Sequence, residues 1–311
     1  GIGLSRAPGR ASVPPMMKRI VLFPACALLL ACAPPPPARA ADAEAAGAEA
    51  PPAEVSPLWE FGVFGGAARL PHYRGSDEYK EYVLPLPYLI YRGKVFRSNR
   101  EGVRSIFWEN DRFETGVSLS GNPPVDDDNS ARSGMPELGA IVEVGPMLKC
   151  YLNGRENPDP FYATLALRGA ISVDTGDLDT AWQGTRGELK LVYRNYTAFE
   201  KHDLHFGFNA GADFADREGN QYFYEVEPDY ATADRPAYSP GGGYAGFSLS
   251  ANATKELNRR LSLGVYYRWD NLSGTAYADS PLVKTENNHV FGFALIWNIL
   301  QSKTPSPYST D

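Results

Sequence analysis

Apolar and polar residues alternate with a strict period of two in about ten separate segments of this chain. Successive side chains of a β-strand point to opposite faces, so each segment has one greasy face and one polar face. The clearest runs from Leu261 to Trp269: Leu261, Leu263, Val265, Tyr267 and Trp269 alternate with Ser262, Gly264, Tyr266 and Arg268. The same pattern begins at Trp59, Phe113, Leu138, Phe161, Leu189, Leu204, Phe247 and Phe291. Weaker strands are expected at 83–91, 94–107 and 221–226. The total is about 12 strands, within a range of about 10–14, and single-chain bacterial barrels use even counts.

The content of the two faces separates a membrane barrel from a soluble sandwich. The polar face carries Glu60, Arg112, Glu114, Glu143, Arg168, Glu188, Lys190 and Arg194, whereas the greasy face carries almost no charge. A charge facing lipid at mid-depth costs about 2–4 kcal/mol, so a barrel excludes it there and tolerates it inside. Trp59, Trp108, Tyr151, Trp269 and Trp297 sit near strand ends, where aromatic girdles form. The fold expected is all-β: an antiparallel transmembrane β-barrel over residues 58–300.

What precedes the barrel fits an exported protein. Residues 1–15 lack Met and read as mis-called upstream sequence, with Met16 or Met17 as the start. Residues 16–40 read as a cleaved signal peptide: Lys18 and Arg19, an apolar run from Ile20 to Ala31, and Ala38-Arg39-Ala40 as the cleavage site. A second reading cleaves before Cys32, which would then carry lipid. Residues 41–57 are Ala, Pro and Glu without apolar period, a flexible linker. Residues 301–311 form a polar tail.

From position 41 the chain has 25 basic and 37 acidic residues, a net of −12. That excludes the basic face that nucleic acid requires. Cys26 and Cys32 fall in the signal, and Cys150 reads as a small side chain at a strand end with no metal pattern. Asp126-Asp127-Asp128-Asn129 offers hard oxygens, but the spacing of a Ca²⁺ loop is absent and a solvated loop is the plainer reading. His202 and His205 fall on opposite strand faces and make a poor metal pair. Ser76, His72 and Asp77 are the one candidate nucleophile, base and acid, yet adjacent turn residues rarely point at one another. No catalytic residue, cofactor or metal is therefore expected.

Several turns carry more specific patterns. Pro71, Tyr73, Gly75 and Ser76 form P-x-Y-x-G-S after the first strand. Gly134 and Met135 begin G-M-P-x-L before another. Asp279, Ser280 and Pro281 lie in A-D-S-P-L-V near the end. In this order the turns resemble the MltA-interacting protein/OmpV family of Gram-negative outer-membrane proteins, from about Trp59 to Trp297. The chain departs from the family at Thr275, where an Asp is usual, and in the 14 residues that follow Trp297. The resemblance implies location in the outer membrane, in contact with its lipid. For the family's named member it implies a scaffold linking a murein hydrolase (a lytic transglycosylase) to a peptidoglycan synthase. Other members look like adhesins or solute-related porins. The expected function is a non-catalytic docking platform working at its periplasmic side. The alternatives are a narrow porin or solute-uptake channel and, with least support, a lipid or lipopolysaccharide hydrolase at the rim.

Overall fold

The computed structural model describes residues 57–92, 96–99, 102–125, 128–174 and 179–306. The upstream segment, the signal and all of the linker but Pro57 lie outside the described residues. The described chain forms twelve strands: β1 (Trp59–Pro71), β2 (Tyr79–Arg92), β3 (Phe96–Asn99), β4 (Gly102–Glu109), β5 (Phe113–Asn122), β6 (Ala140–Tyr151), β7 (Phe161–Val173), β8 (Thr180–Asn195), β9 (Leu204–Ala215), β10 (Gly243–Asn258), β11 (Leu261–Asn271) and β12 (Asn287–Gln301). Each pairs antiparallel with its sequence neighbours, and β1 pairs with β12, from Glu60 opposite Gln301 to Arg69 opposite Phe291. The ring is closed, so no strand edge is left open.

The alternation fixes which way each side chain points. Val265, Phe291 and Phe293 face outward and remain 50, 52 and 49 % exposed, beside Phe208, Leu249, Leu295 and Trp297. A continuous exposed apolar belt of this kind is incompatible with water and matches lipid. The inward partners on the same strands are Ser262, Gly264, Asp270, Asn288 and Asn298. Among the described residues no helix is long and apolar enough to cross a membrane; the strands do the crossing. Val265, at the centre of β11, tests the assignment. Val265→Arg is expected to cost about 2–4 kcal/mol in reversible unfolding from lipid, and an unchanged stability would place this face in water.

Three local expectations are corrected. Residues 221–226 do not form a strand; they belong to a helix, α1 (Arg217–Tyr224), and the residues just after it. The aromatic run Tyr222-Phe223-Tyr224 favours strand, but Asp216 caps the helix by accepting the Gly219 N–H at 2.8 Å, and packing of its apolar face does the rest. The segment 94–107 is two short paired strands, β3 and β4, rather than one. The total stays at twelve, because the strand absent at 221–226 is offset by the division of 94–107 into two. Tyr151 is no girdle residue: it points inward, almost fully buried, at 5.6 Å from the ring of Tyr162.

The start of the polar tail also has structure. Ser302 donates to Trp59 O at 2.8 Å, Leu58 donates to Thr304 O at 2.9 Å, and Pro305 bridges Pro57. The chain beyond Ser306 lies outside the described residues. Both ends of the barrel domain therefore sit together at one rim, called here the near end.

Candidate functional site: a plugged mouth and an open cup

Connections at the near end are mostly short: 93–95, 110–112, 152–160, 196–203 and 259–260. Those at the far end include 72–78, 123–139, 216–242 and 272–286. Short periplasmic turns and longer extracellular loops are the rule for such barrels, so the far end is the extracellular one. The six far-end connections hold 18 acidic and 6 basic residues, a net of −12. The chain's whole excess of negative charge from position 41 onward is matched by its outer mouth alone.

Those long loops do not splay into solvent. They fold into the mouth and make an apolar core of their own: Tyr73, Leu138, Phe223, Tyr224, Val226, Leu272, Tyr277 and Leu282 are buried together with Ala215 and Ala245 of the wall. The rings of Tyr224 and Tyr277 stack at 3.6 Å. Burial pushes the Tyr73, Tyr224 and Tyr277 hydroxyls above their ordinary range. Each stays protonated and acts as a fixed donor: Tyr73 to Leu282 O at 2.8 Å, Tyr224 to Arg74 O at 2.9 Å and Tyr277 to Ala245 O at 2.7 Å. The result is a plug.

The turn residues singled out from sequence are the joints of this plug. Pro71 ends β1, and Tyr73 enters the apolar core. Gly75 has φ +98°, a conformation costly for any residue with a Cβ. Its carbonyl accepts Lys284 N–H at 2.7 Å. Ser280 donates to Tyr224 O at 2.8 Å and accepts from Leu282 N at 3.2 Å. Pro281 precedes the buried Leu282, while Asp279 is exposed. Gly134, at φ +75°, makes the turn that lays Met135 against the same core. The three motifs, far apart in sequence, thus converge at one end of the barrel, and it is the extracellular end.

Sequence reasoning missed the residue that clamps them. Asn288, at the start of β12, is fully buried; its Oδ1 accepts Gly75 N–H at 2.6 Å and its Nδ2 donates to Ser76 O at 2.7 Å. One Asn in a run of loop-like residues gives no signal before the fold brings positions 75 and 288 together. Asn288→Ala leaves both backbone groups buried without that partner, at roughly 1–3 kcal/mol each. The expected readout is a lower denaturant midpoint with an unchanged slope; wild-type stability would mean that water replaces the amide.

Arg74 pins the plug to the wall. Its guanidinium lies 2.6 Å from Asp213 of β9 and 3.3 Å from Asp270 of β11. Burial alone would lower its pKa, but the two carboxylates outweigh that and hold it above the usual range. Deeper in, Arg168 meets Glu188 at 2.8 Å and Glu143 at 3.8 Å, Arg186 meets Glu143 at 3.2 Å, and Lys190 pairs with Glu188. Of the inward charges expected from the alternation, Glu143, Arg168, Glu188 and Lys190 are therefore paired with one another across β6, β7 and β8, whereas Arg112 lies in the 110–112 turn.

The Ser76, His72 and Asp77 group is not assembled for catalysis. Ser76 is fully buried, and its Oγ accepts from Glu78 N and Asn129 Nδ2, both at 3.1 Å. His72 instead meets Asn129 at 3.3 Å and Asp128 at 3.7 Å, and Asp77 is exposed. Asp126 and Asp127 lie outside the described residues. Among the described residues no group of three or more His, Cys, Asp or Glu could hold a metal.

Below the plug the lumen widens into a chamber of about 840 Å³. Its wall includes Glu60, Tyr88, Lys149, Arg194, Asn252 and Asn298, which belong to the near-end half of their strands. The near-end turns around it are firmly built. Asp159 accepts the N–H groups of Tyr196 and Thr197 at 2.7 and 3.1 Å and the Thr197 hydroxyl at 2.5 Å. Against the burial that would raise it, these bonds hold the Asp159 carboxyl below the usual range. A lowered carboxylate pKa contributes stability above the unfolded value of about 3.9, lost as pH falls through the folded value. The Tyr196 and Thr197 amides are therefore expected to stay protected from hydrogen exchange at pH 5 and to lose protection only below about pH 4; loss already at pH 6 would break this account.

The family model for the MltA-interacting protein MipA matches residues 63–299, from within β1 to near the end of β12. Among curated relatives, outer membrane protein OmpV of Vibrio cholerae serotype O1 is 25 % identical over 247 residues, covering 77 % of this chain and 85 % of the relative. Outer membrane protein Omp26La of Vibrio anguillarum is 24 % identical over the same length, with the same coverage. The matched span covers nearly all of the closed barrel and includes every joint of the plug. The chain belongs to the MltA-interacting protein MipA family and is a β-barrel protein of the outer membrane.

Proposed function

We propose that this protein is a non-catalytic, non-conducting outer-membrane barrel that docks a cell-wall enzyme at its periplasmic end. The partner is a murein hydrolase of the lytic transglycosylase kind, with a peptidoglycan synthase as a second client. The observation that carries the reading is the family match, whose description names MltA as the partner of the family's namesake. The shape supports it. A plug packed across the extracellular mouth argues against a through path for solutes, which the porin reading needs. The near end is bounded by turns fixed by hydrogen bonds, as a docking face requires. The buried Ser76, held by Asn129 and Glu78, supports the non-catalytic part.

Purified protein in detergent should retain a murein lytic transglycosylase from a periplasmic extract. Phe199, exposed in the 196–203 turn, is an accessible near-end anchor. Phe199→Glu should weaken retention, whereas an exposed far-end substitution such as Asp279→Asn should not. Recovery of no cell-wall enzyme, or equal loss from both ends, would overturn the proposal.

A further inference from the structure

The chamber below the plug has a second property that a docking surface does not need: it is lined like a ligand site. Three observations bear on it. First, it lies in the lumen on the near-end side of the plug, and its volume of about 840 Å³ falls within the range of small-molecule pockets. Second, polar groups converge on one wall. Arg194 of β8 donates to Asn209 Oδ1 of β9 at 2.8 Å, and Asn209 donates to Ser250 Oγ of β10 at 2.7 Å. Asn252 lies beside them because Gly207, between Arg194 and Asn252 in register, has no side chain to keep the two apart. Third, the rings of Phe64, Tyr88 and Tyr266 line the same chamber together with Gly264 and Gly292, which leave the wall between them low.

The balance of charge selects among ligands. The cup is lined by Lys149, Arg194, Arg259 and Arg260 against Glu60 and Glu256. Lys149 sits 3.7 Å from the centre of the Tyr162 ring, a cation held over an aromatic face. Ring faces suit the apolar faces of sugars, and amides suit hydroxyl and acetamido groups. A guanidinium suits a carboxylate, which it can take with two parallel N–H groups.

We propose that the cup binds an acidic saccharide of the cell wall, about one disaccharide in size, with its carboxylate toward Arg194. The ligand class deepens the docking reading and rests on it, since a platform for murein enzymes meets their substrates and products. The saccharide enters from the periplasm and cannot leave through the plugged mouth.

Isothermal titration of the whole protein in detergent tests this with two probes. One is the N-acetylglucosamine–N-acetylmuramic acid disaccharide; the other is N,N′-diacetylchitobiose, its counterpart without the carboxylate. The acidic disaccharide should bind at least tenfold more tightly than the neutral one. Arg194→Gln should abolish that preference while leaving the weak neutral binding, and Gly207→Val, which fills the wall, should reduce binding of both. Heat-modifiable gel migration shows whether each variant still forms the barrel. No binding of the acidic disaccharide, or an equal affinity for both probes, would overturn the inference. If the transglycosylase is retained in that case, the docking reading stands and only the cup loses its ligand.

Discussion

Arg168→Met is expected to destabilise the barrel by about 3–5 kcal/mol, the usual result of removing one partner from a buried ion pair. Arg168 is held from three sides: its Nη1 by Glu188 at 2.8 Å and Glu143 at 3.8 Å, and its Nε, as donor, by Ser118 Oγ at 2.8 Å. The side chains of Arg168, Glu143 and Glu188 are all largely shielded from water. Removal of the guanidinium leaves two carboxylates, on the two strands that flank β7, with Arg186 and Lys190 to offset them. The double variant Arg168→Met with Glu188→Gln should recover part of the loss, because the charge it abandoned is gone as well. A coupling energy near zero between the two positions, read from reversible unfolding, would mean that lumen water screens the pair and that the charged layer is not structural.

In a planar bilayer the intact protein should give no conductance steps. The plug is packed like a small protein core, with stacked tyrosines and buried leucines, and hydrogen bonds join loops as distant as 73 and 282. Replacement of residues 217–241 and 275–283 by short Gly-Ser linkers removes α1 and the segment that stacks on it, and steps should then appear. The opened pore should prefer cations. Acidic residues of the remaining far-end loops, among them Glu78, Glu137, Asp174 and Glu286, still outnumber the basic ones. Gel migration with and without boiling confirms that the shortened chain still closes its barrel. Conductance by the intact protein would restore the porin reading; silence of a folded, unplugged barrel would mean that the paired charges inside already seal the lumen.

The plug also changes what the turn motifs signify. By resemblance they pointed to a family whose namesake meets a murein enzyme, and a docking role suggests the periplasmic side. In the fold they lie at the other end. Tyr73, Gly75, Ser76, Met135, Ser280 and Pro281 hold the mouth closed, and none lies in a near-end turn. Their spacing therefore reports on the closure of the barrel, and the residues that would meet a partner lie elsewhere, in turns such as 152–160 and 196–203.

The barrel is legible in the residue pattern alone. Period-two alternation is a local property of each strand, and lipid on one face and a narrow lumen on the other leave it almost no freedom. Lipid-facing Val265 and Phe293 and lumen-facing Arg168 and Glu188 could be assigned before any fold was known. Where the code is weaker, so was the reading. An aromatic run could favour strand while the Asp216 cap made it helix, and Tyr151 looked like an interface anchor because nothing local says which way the end of a strand turns. The plug, the clamp at Asn288, the pin at Arg74 and the cup beneath them were decided by tertiary structure alone. Each joins residues brought together only when β1 meets β12 and the long loops fold inward. Contacts across more than 200 residues, such as Gly75 with Asn288, leave no period in the sequence to read.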